Sequence, residues 1–234
     1  MELSGIVPLP ISVAANPAAA FLPLAGEAPL PRVVRTVLGA VAEPGRVIVA
    51  AAEPLVDDVR AVLASQDLPP VSIVAVAGSA SRAHCLDAAL EYLQRASFST
   101  RHVLIHDISC PIASVCVRDR VIAGLRSGST VVMPALAVTD SIKAVDAHGM
   151  VTGTLDRSAL RAVQFPRGFA VDQLAELLAH RASDDFDELT AAIGTAAPIT
   201  VVDGEADAFR ADLPRDAEFV EAIIASRRSD PHQS

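Results

Sequence analysis

The chain has 234 residues, 51% of them hydrophobic but only 3% aromatic, and 28 acidic side chains against 19 basic ones give a formal charge of -9. That length and apolar content exclude disorder and point to one domain burying about 70–75% of its unfolded surface. An acidic chain with seven Phe, one Tyr and no Trp offers neither the basic field nor the stacking platforms that nucleic acids require.

Short β-branched runs alternate with helical spacing along the chain. Ile6 and Val7 open a first strand, and Val33, Val34, Val37, Leu38 and Val41 mark one face of a helix. Val47 to Ala51 reads as a buried strand, and Pro54 starts a helix with Leu55, Val56, Val59, Val62 and Leu63 inward. Val71 to Ala77 is the next strand, and Leu86, Ala89, Leu90 and Leu93 form a helical face. The strand Val103 to Ile105 follows, then a helix carrying Val117, Val121, Ile122 and Leu125, then a strand from Thr130 to Met133. Near-continuous apolar strands separated by amphipathic helices predict an α/β fold, a mostly parallel sheet with helices on both faces. Val138 to Thr154 breaks this rhythm and is expected to protrude as a β-arm, with His148-Gly149 as its tip. The regular pattern resumes with Arg161 to Phe165, a helix near Val171 to His180, an acidic stretch over Asp184 to Glu188 and the strand Ile199 to Val202. A last helix covers about Arg215 to Arg228, and Ser229 to Ser234 is expected to fray. No repeat or linker divides the chain, so residues 1–234 are read as a single domain.

Cys85, Cys110 and Cys116 have no paired spacing, which argues against a disulfide framework or a structural zinc site and fits a reducing compartment. No apolar run reaches the roughly 18 residues of a membrane span. Leu3 to Gly26 is uncharged, but Glu2 replaces the basic start of a signal peptide and Pro8, Pro10, Pro17 and Pro23 interrupt it. The expected location is the cytoplasm, with no membrane partner.

In open parallel sheets ligands collect beyond the carboxyl ends of the strands. Asp107, just past Val103 to Ile105, is the strongest such residue: it could orient a sugar hydroxyl or hold Mg²⁺ beside a nucleotide, or it could cap the following turn. His102 and His106 read as core or turn residues rather than ligands.

Three ordered segments add context: Val103–Pro111 (VLIHDISCP), Pro134–Asp146 (PALAVTDSIKAVD) and Thr154–Phe169 (TLDRSALRAVQFPRGF). Together they resemble the 2-C-methyl-D-erythritol 4-phosphate cytidylyltransferase family, whose usual forms are H-D-A-A-R-P, P-V-x-D-T-[IL]-K and T-x-D-R-x-x-L-x-x-x-Q-T-P-Q-x-F. The resemblance covers most of the chain. It implies a Rossmann-like nucleotidyltransferase fold that joins CTP to methylerythritol phosphate in isoprenoid biosynthesis, with Mg²⁺ if a nucleotide binds, and a homodimer formed through the arm at about 138–154. On the same resemblance, Gly78, Arg82, Cys85 and Asp107 fall at nucleotide-binding positions. Asp107, Ser141, Arg157 and Arg210 fall at substrate-binding positions, with Asp107 and Asp207 as metal candidates. Arg157 could instead be an arm ion pair and Arg210 a solvated charge. Asp184, Asp185, Asp187 and Glu188 resemble a worn form of the family's T-D-D-A segment, or an acidic helix start.

The departures concentrate at the phosphates. The family's loop P-A-A-G-x-G-x-R, followed by P-K, corresponds here to Pro8–Ala20 (PLPISVAANPAAA), without glycine, Arg or Lys, and the family lysine falls on Ala19. Lys143, the only lysine, lies in the arm motif. Cys85 replaces a phosphate-contacting Ser, Cys110 the Arg of H-D-A-A-R-P, and Phe165 and Arg167 the Thr and second Gln of Q-T-P-Q. The leading expectation is therefore a catalytically impaired or silent family member that still takes CTP or a sugar phosphate, or a protein partner. Two alternatives stand beside it: an active enzyme rescued by Arg32, Arg35 or Arg82, and a non-catalytic dimeric or heterodimeric regulator.

Overall fold

The computed structural model describes residues 2–96 and 98–229. Its first strand, β1 (Leu3–Leu9), is buried along its whole length, as is β2 (Val47–Ala52). Strands covered on both faces are free to be apolar at every position, which is why β2 reads as a continuous run and β1 shows most clearly at Ile6 and Val7. Between them lie two single-turn helices, α1 (Ser12–Ala15) and α2 (Ala18–Phe21), and then α3 (Pro29–Leu38). Pro29 at the first turn of α3 gives up an N–H that would have no helical partner, while Val33, Val34 and Val37 face inward. Gly5 lets α3 come close: a Cβ there would lie 1.9 Å from Val37 Cγ1.

The turn at Pro54 leads into α4 (Val56–Ala64), followed by β3 (Ser72–Val76) and α5 (Arg82–Arg95). Ser81 caps α5 by accepting from the His84 N–H, and the His84 ring returns to the Ser81 N–H. Then come β4 (His102–Ile105), α6 (Val115–Arg126, capped by Ser114) and β5 (Val131–Ala137). The excursion after β5 is an exposed two-stranded hairpin, β6 (Lys143–Val145) with β7 (Val151–Thr154), and Gly149 at its turn has a φ of 80°. The chain re-enters the sheet through β8 (Arg161–Val163) and β9 (Arg167–Ala170), continues through α7 (Val171–Ala179), α8 (Glu188–Gly194) and β10 (Ile199–Asp203), and closes with α9 (Ala217–Ser229). The expected fraying over 229–234 falls at residues 230–234 outside the described residues, while Ser229 closes α9.

The main sheet runs β10-β5-β9-β4-β1-β2-β3, with β8 also on β5. Pairs β1/β2, β1/β4, β2/β3 and β5/β10 are parallel; β9 inserts antiparallel between β4 and β5. The result is the expected mostly parallel α/β sheet flanked by helices. Gly168 makes the β9 insertion possible, since a Cβ would lie 2.8 Å from both Leu125 and Val121 on α6. Because β1 lies between β2 and β4, the segments leaving β1 and β4 diverge at a switch point, where such sheets open a crevice.

Candidate active site

A cavity of about 740 Å³ lies at that switch point. It is lined by the segment after β1, by Ser79 to Arg82 before and within α5, by Asp107 and Ser109 after β4, by Asp184 to Asp187, and by Arg210. Its volume is in the range of small-molecule sites.

The segment after β1 is ordered by its own backbone. Pro8, Pro10 and Pro17 have no N–H. The Ile11 N–H donates to the Ala80 carbonyl, and those of Val13, Ala14 and Asn16 to Pro10, Ile11 and Val13. The Ala19 N–H donates to Asn16, and both Ala20 and Phe21 donate to Pro17. Asn16 Nδ2 ties the segment to the Leu213 carbonyl at 2.8 Å. The segment is therefore two helical turns, with these N–H groups bonded within the chain.

Beside them is a buried charge network. Arg82 donates to Asp107 Oδ2 at 2.6 Å and to Glu188 Oε1 at 2.8 Å. Arg167 donates to Glu188 Oε2 at 2.9 Å and to Asp187 Oδ2 at 2.8 Å. The Phe165 ring lies 4.2 Å from the Arg167 guanidinium carbon and 5.4 Å from that of Arg82, within cation–π range. Burial opposes the charge on Arg82, but Glu188 and Asp107 outweigh it and hold its pKa above the ordinary value. Burial likewise disfavours the Asp107 carboxylate, yet Arg82 and the Ser109 donors keep its pKa below the usual range. His106, wholly buried, accepts from the Asp107 N–H through Nδ1, and burial pushes its pKa down to about 4, so it is neutral. Arg210 has no ion pair among the described residues, and its positive field reaches Asp107 and Cys110. Four lining carboxylates, Asp107, Asp184, Asp185 and Asp187, thus face two guanidinium groups, those of Arg82 and Arg210.

Arg82, Asp107 and Arg210, named from the sequence, come together in this cavity. Gly78 sits in the preceding turn with a φ of 73°. Cys85 does not line the cavity: it is wholly buried in the core, and burial pushes its thiol up to about 12. Asp207 also lies elsewhere, paired with Arg227 at 3.1 Å. Ser141 and Arg157 are exposed in and beside the arm, and the Arg157 guanidinium donates to the Thr139 carbonyl. Arg32 and Arg35, offered as rescuing cations, face Glu27 and line a different cavity. A resident Mg²⁺ does not fit these donors. Both Asp107 oxygens are engaged by Arg82 and Ser109, and no group of three or more His, Cys, Asp or Glu is placed to hold a metal among the described residues. Sequence reasoning left Glu188 between a worn family segment and an acidic helix start, and it noted Arg167 only as a departure from the Gln of the motif.

Residues 13–226 match the family model described as 2-C-methyl-D-erythritol 4-phosphate cytidylyltransferase. The chain belongs to that family. It is 35% identical to the 2-C-methyl-D-erythritol 4-phosphate cytidylyltransferase of Nocardia farcinica over 210 residues, covering 89% of this chain and 86% of the relative. It is 34% identical to the enzyme of that name from Rhodococcus jostii, over 88% of this chain and 86% of the relative. A solved 4-diphosphocytidyl-2C-methyl-D-erythritol synthase shares the fold with a TM-score of 0.77 at 20% identity, over 95% of this chain and 98% of that one. No helix among the described residues is long and apolar enough to cross a membrane.

Proposed function

We propose that this chain is a member of the cytidylyltransferase family that transfers from CTP poorly or not at all, and that works as an arm-linked homodimer. The family's reaction is attack by a phosphate oxygen of methylerythritol phosphate on the α-phosphorus of CTP, with pyrophosphate leaving. The attacking oxygen is already ionised at neutral pH, so the protein's work is positioning and stabilisation of negative charge in flight. One observation carries the reading: where the family's triphosphate loop would fall, the segment after β1 forms two helical turns in which the N–H groups of Val13, Ala14, Asn16, Ala19 and Ala20 bond within the segment, and no cationic side chain lies between Glu2 and Glu27. Removing one preorganised charge-stabilising donor typically costs about 10²–10³ in rate. Arg82 does not replace the missing cations, because Asp107 and Glu188 neutralise it. Arg210 is the one cationic side chain lining the cavity without an ion pair among the described residues, and four carboxylates line the cavity with it.

The dimer reading rests on the arm. Val145, Met150 and Val151 are exposed on the hairpin, at 59%, 67% and 64%. Ser141 and Arg157 lie away from the chain's own cavity, so a second copy is the natural means of bringing them to one. Pyrophosphate release from CTP, methylerythritol phosphate and Mg²⁺ tests the proposal. A rate at least about 100-fold below that of an intact family member is expected, and a comparable rate refutes it.

A further inference from the structure

A second cavity, of about 510 Å³, lies between α3, the segment after β4 and α9. Arg32, Arg35, Arg227 and Arg228 all line it, with Glu27 as the one lining carboxylate and Ile112 and Ile224 as apolar wall. This inverts the charge of the switch-point cavity, in a chain whose overall charge is -9.

Backbone carbonyls help orient three of these guanidinium groups, and for Arg228 a carbonyl is the one hydrogen-bond partner among the described residues. Arg32 donates to Leu24 O at 2.8 Å and Glu27 O at 3.2 Å, Arg227 to Ile112 O at 2.7 Å, and Arg228 to Ala25 O at 3.2 Å. A carbonyl fixes the direction of a guanidinium without cancelling its charge. The carboxylates nearby fall short of four cations. Glu27 is shared between Arg35 at 2.9 Å and Arg32 at 3.6 Å, Asp207 serves Arg227 at 3.1 Å, and Glu221 accepts the Ala25 N–H. Arg228 has no carboxylate partner among the described residues. Burial lowers the Arg32 pKa, and although Glu27 opposes that, Arg228 and Arg35 add to the lowering.

Like charges held together in a concave, partly apolar site have an unmet need for an anion. We infer that this cavity binds a small phosphorylated ligand, a phosphate monoester or a diphosphate, through Arg32, Arg35, Arg227 and Arg228. A carboxylate would bring one negative charge, whereas a phosphate ester or diphosphate brings about two or more at neutral pH and can accept bidentate guanidinium contacts. The volume leaves room for a small organic body against Ile112 and Ile224.

Isothermal titration of the full chain with inorganic pyrophosphate and with glycerol 3-phosphate, with sulfate as control, tests the assignment. Arg35→Gln and Arg228→Gln alter exposed guanidinium groups, and a thermal melt verifies that each variant is folded. Saturable one-site binding of either phosphate compound by the parent, about tenfold weaker in each variant and unchanged in Arg210→Gln, supports the site. Three results overturn it: no saturable binding of either compound, equal binding of sulfate, or binding lost in Arg210→Gln and retained in Arg35→Gln and Arg228→Gln. The last would place the anion in the switch-point cavity.

Discussion

Replacing Glu188 by Gln removes the charge that joins Arg82 to Arg167 while keeping the side chain's size. Glu188 is wholly buried, and the Arg167 and Arg82 side chains are 5% and 17% exposed, so the two guanidinium groups cannot turn to bulk water when their shared partner is neutralised. Breaking one partner out of a buried ion pair typically costs about 3–5 kcal/mol. Asp107 still serves Arg82 and Asp187 still serves Arg167, which places the expected loss at the lower end, about 3 kcal/mol. For a domain of this size that corresponds to a fall in Tm of about 6–12 °C. Urea unfolding followed by circular dichroism measures it directly: the midpoint should move down with an unchanged slope, since the surface exposed on unfolding is the same. A loss below about 1 kcal/mol would show that the network is solvated and refute the buried-charge account.

His106 gives a pH signature. Its folded pKa of about 4 lies below the roughly 6.5 of an unfolded histidine, so the unfolded chain takes up the proton first as pH falls. Its contribution is complete above about pH 6.5, costs about 2 kcal/mol by pH 5 and levels off below about pH 4. His106→Asn, which keeps an acceptor for the Asp107 N–H, should flatten that slope in urea melts at pH 7 and 5; equal slopes would contradict the assignment. Thiol labelling of the native protein should modify Cys116 rapidly and leave Cys85 and Cys110, held up to about 12 and 11 by burial, unreacted until unfolding. Fast labelling of more than one thiol would count against their burial. Met150→Asp with Val151→Asp should convert a dimer to a monomer in sedimentation velocity while the far-UV circular dichroism of the folded chain is unchanged, because both side chains are exposed within one chain. A variant that stays dimeric would remove the arm from the interface.

Much of the sheet was legible because β2 and β4 are apolar wherever they are buried and β1 departs from that only at Ser4, and the helices between them show their inward faces at helical spacing. The arm was legible for the opposite reason, a polar, turn-rich stretch with Gly149 at its tip. Strand β9 was not separately visible: it is four residues long, begins with a charged Arg167 and owes its place to Gly168 fitting under α6, a contact across more than forty residues of sequence. Asp107, Arg82 and Arg210 were found through motif positions. Glu188 was ambiguous because its meaning depends on two arginines, 106 and 21 residues away, that only the fold brings to it. The sequence showed that Pro8 to Ala20 lacks glycine and positive charge; that its N–H groups close into helical turns needed coordinates.

With the segment after β1 bonded largely within itself and Arg82 paired to Asp107 and Glu188, Arg210 is, among the described residues lining the cavity, the one unpaired cation left to grip a nucleoside triphosphate, too little to hold it. Isothermal titration of the full chain with CTP in excess Mg²⁺ tests this most directly. The account predicts no saturable binding below about 1 mM, a free energy weaker than about 4 kcal/mol. Micromolar binding of CTP, followed by cytidylyl transfer to methylerythritol phosphate, would contradict it.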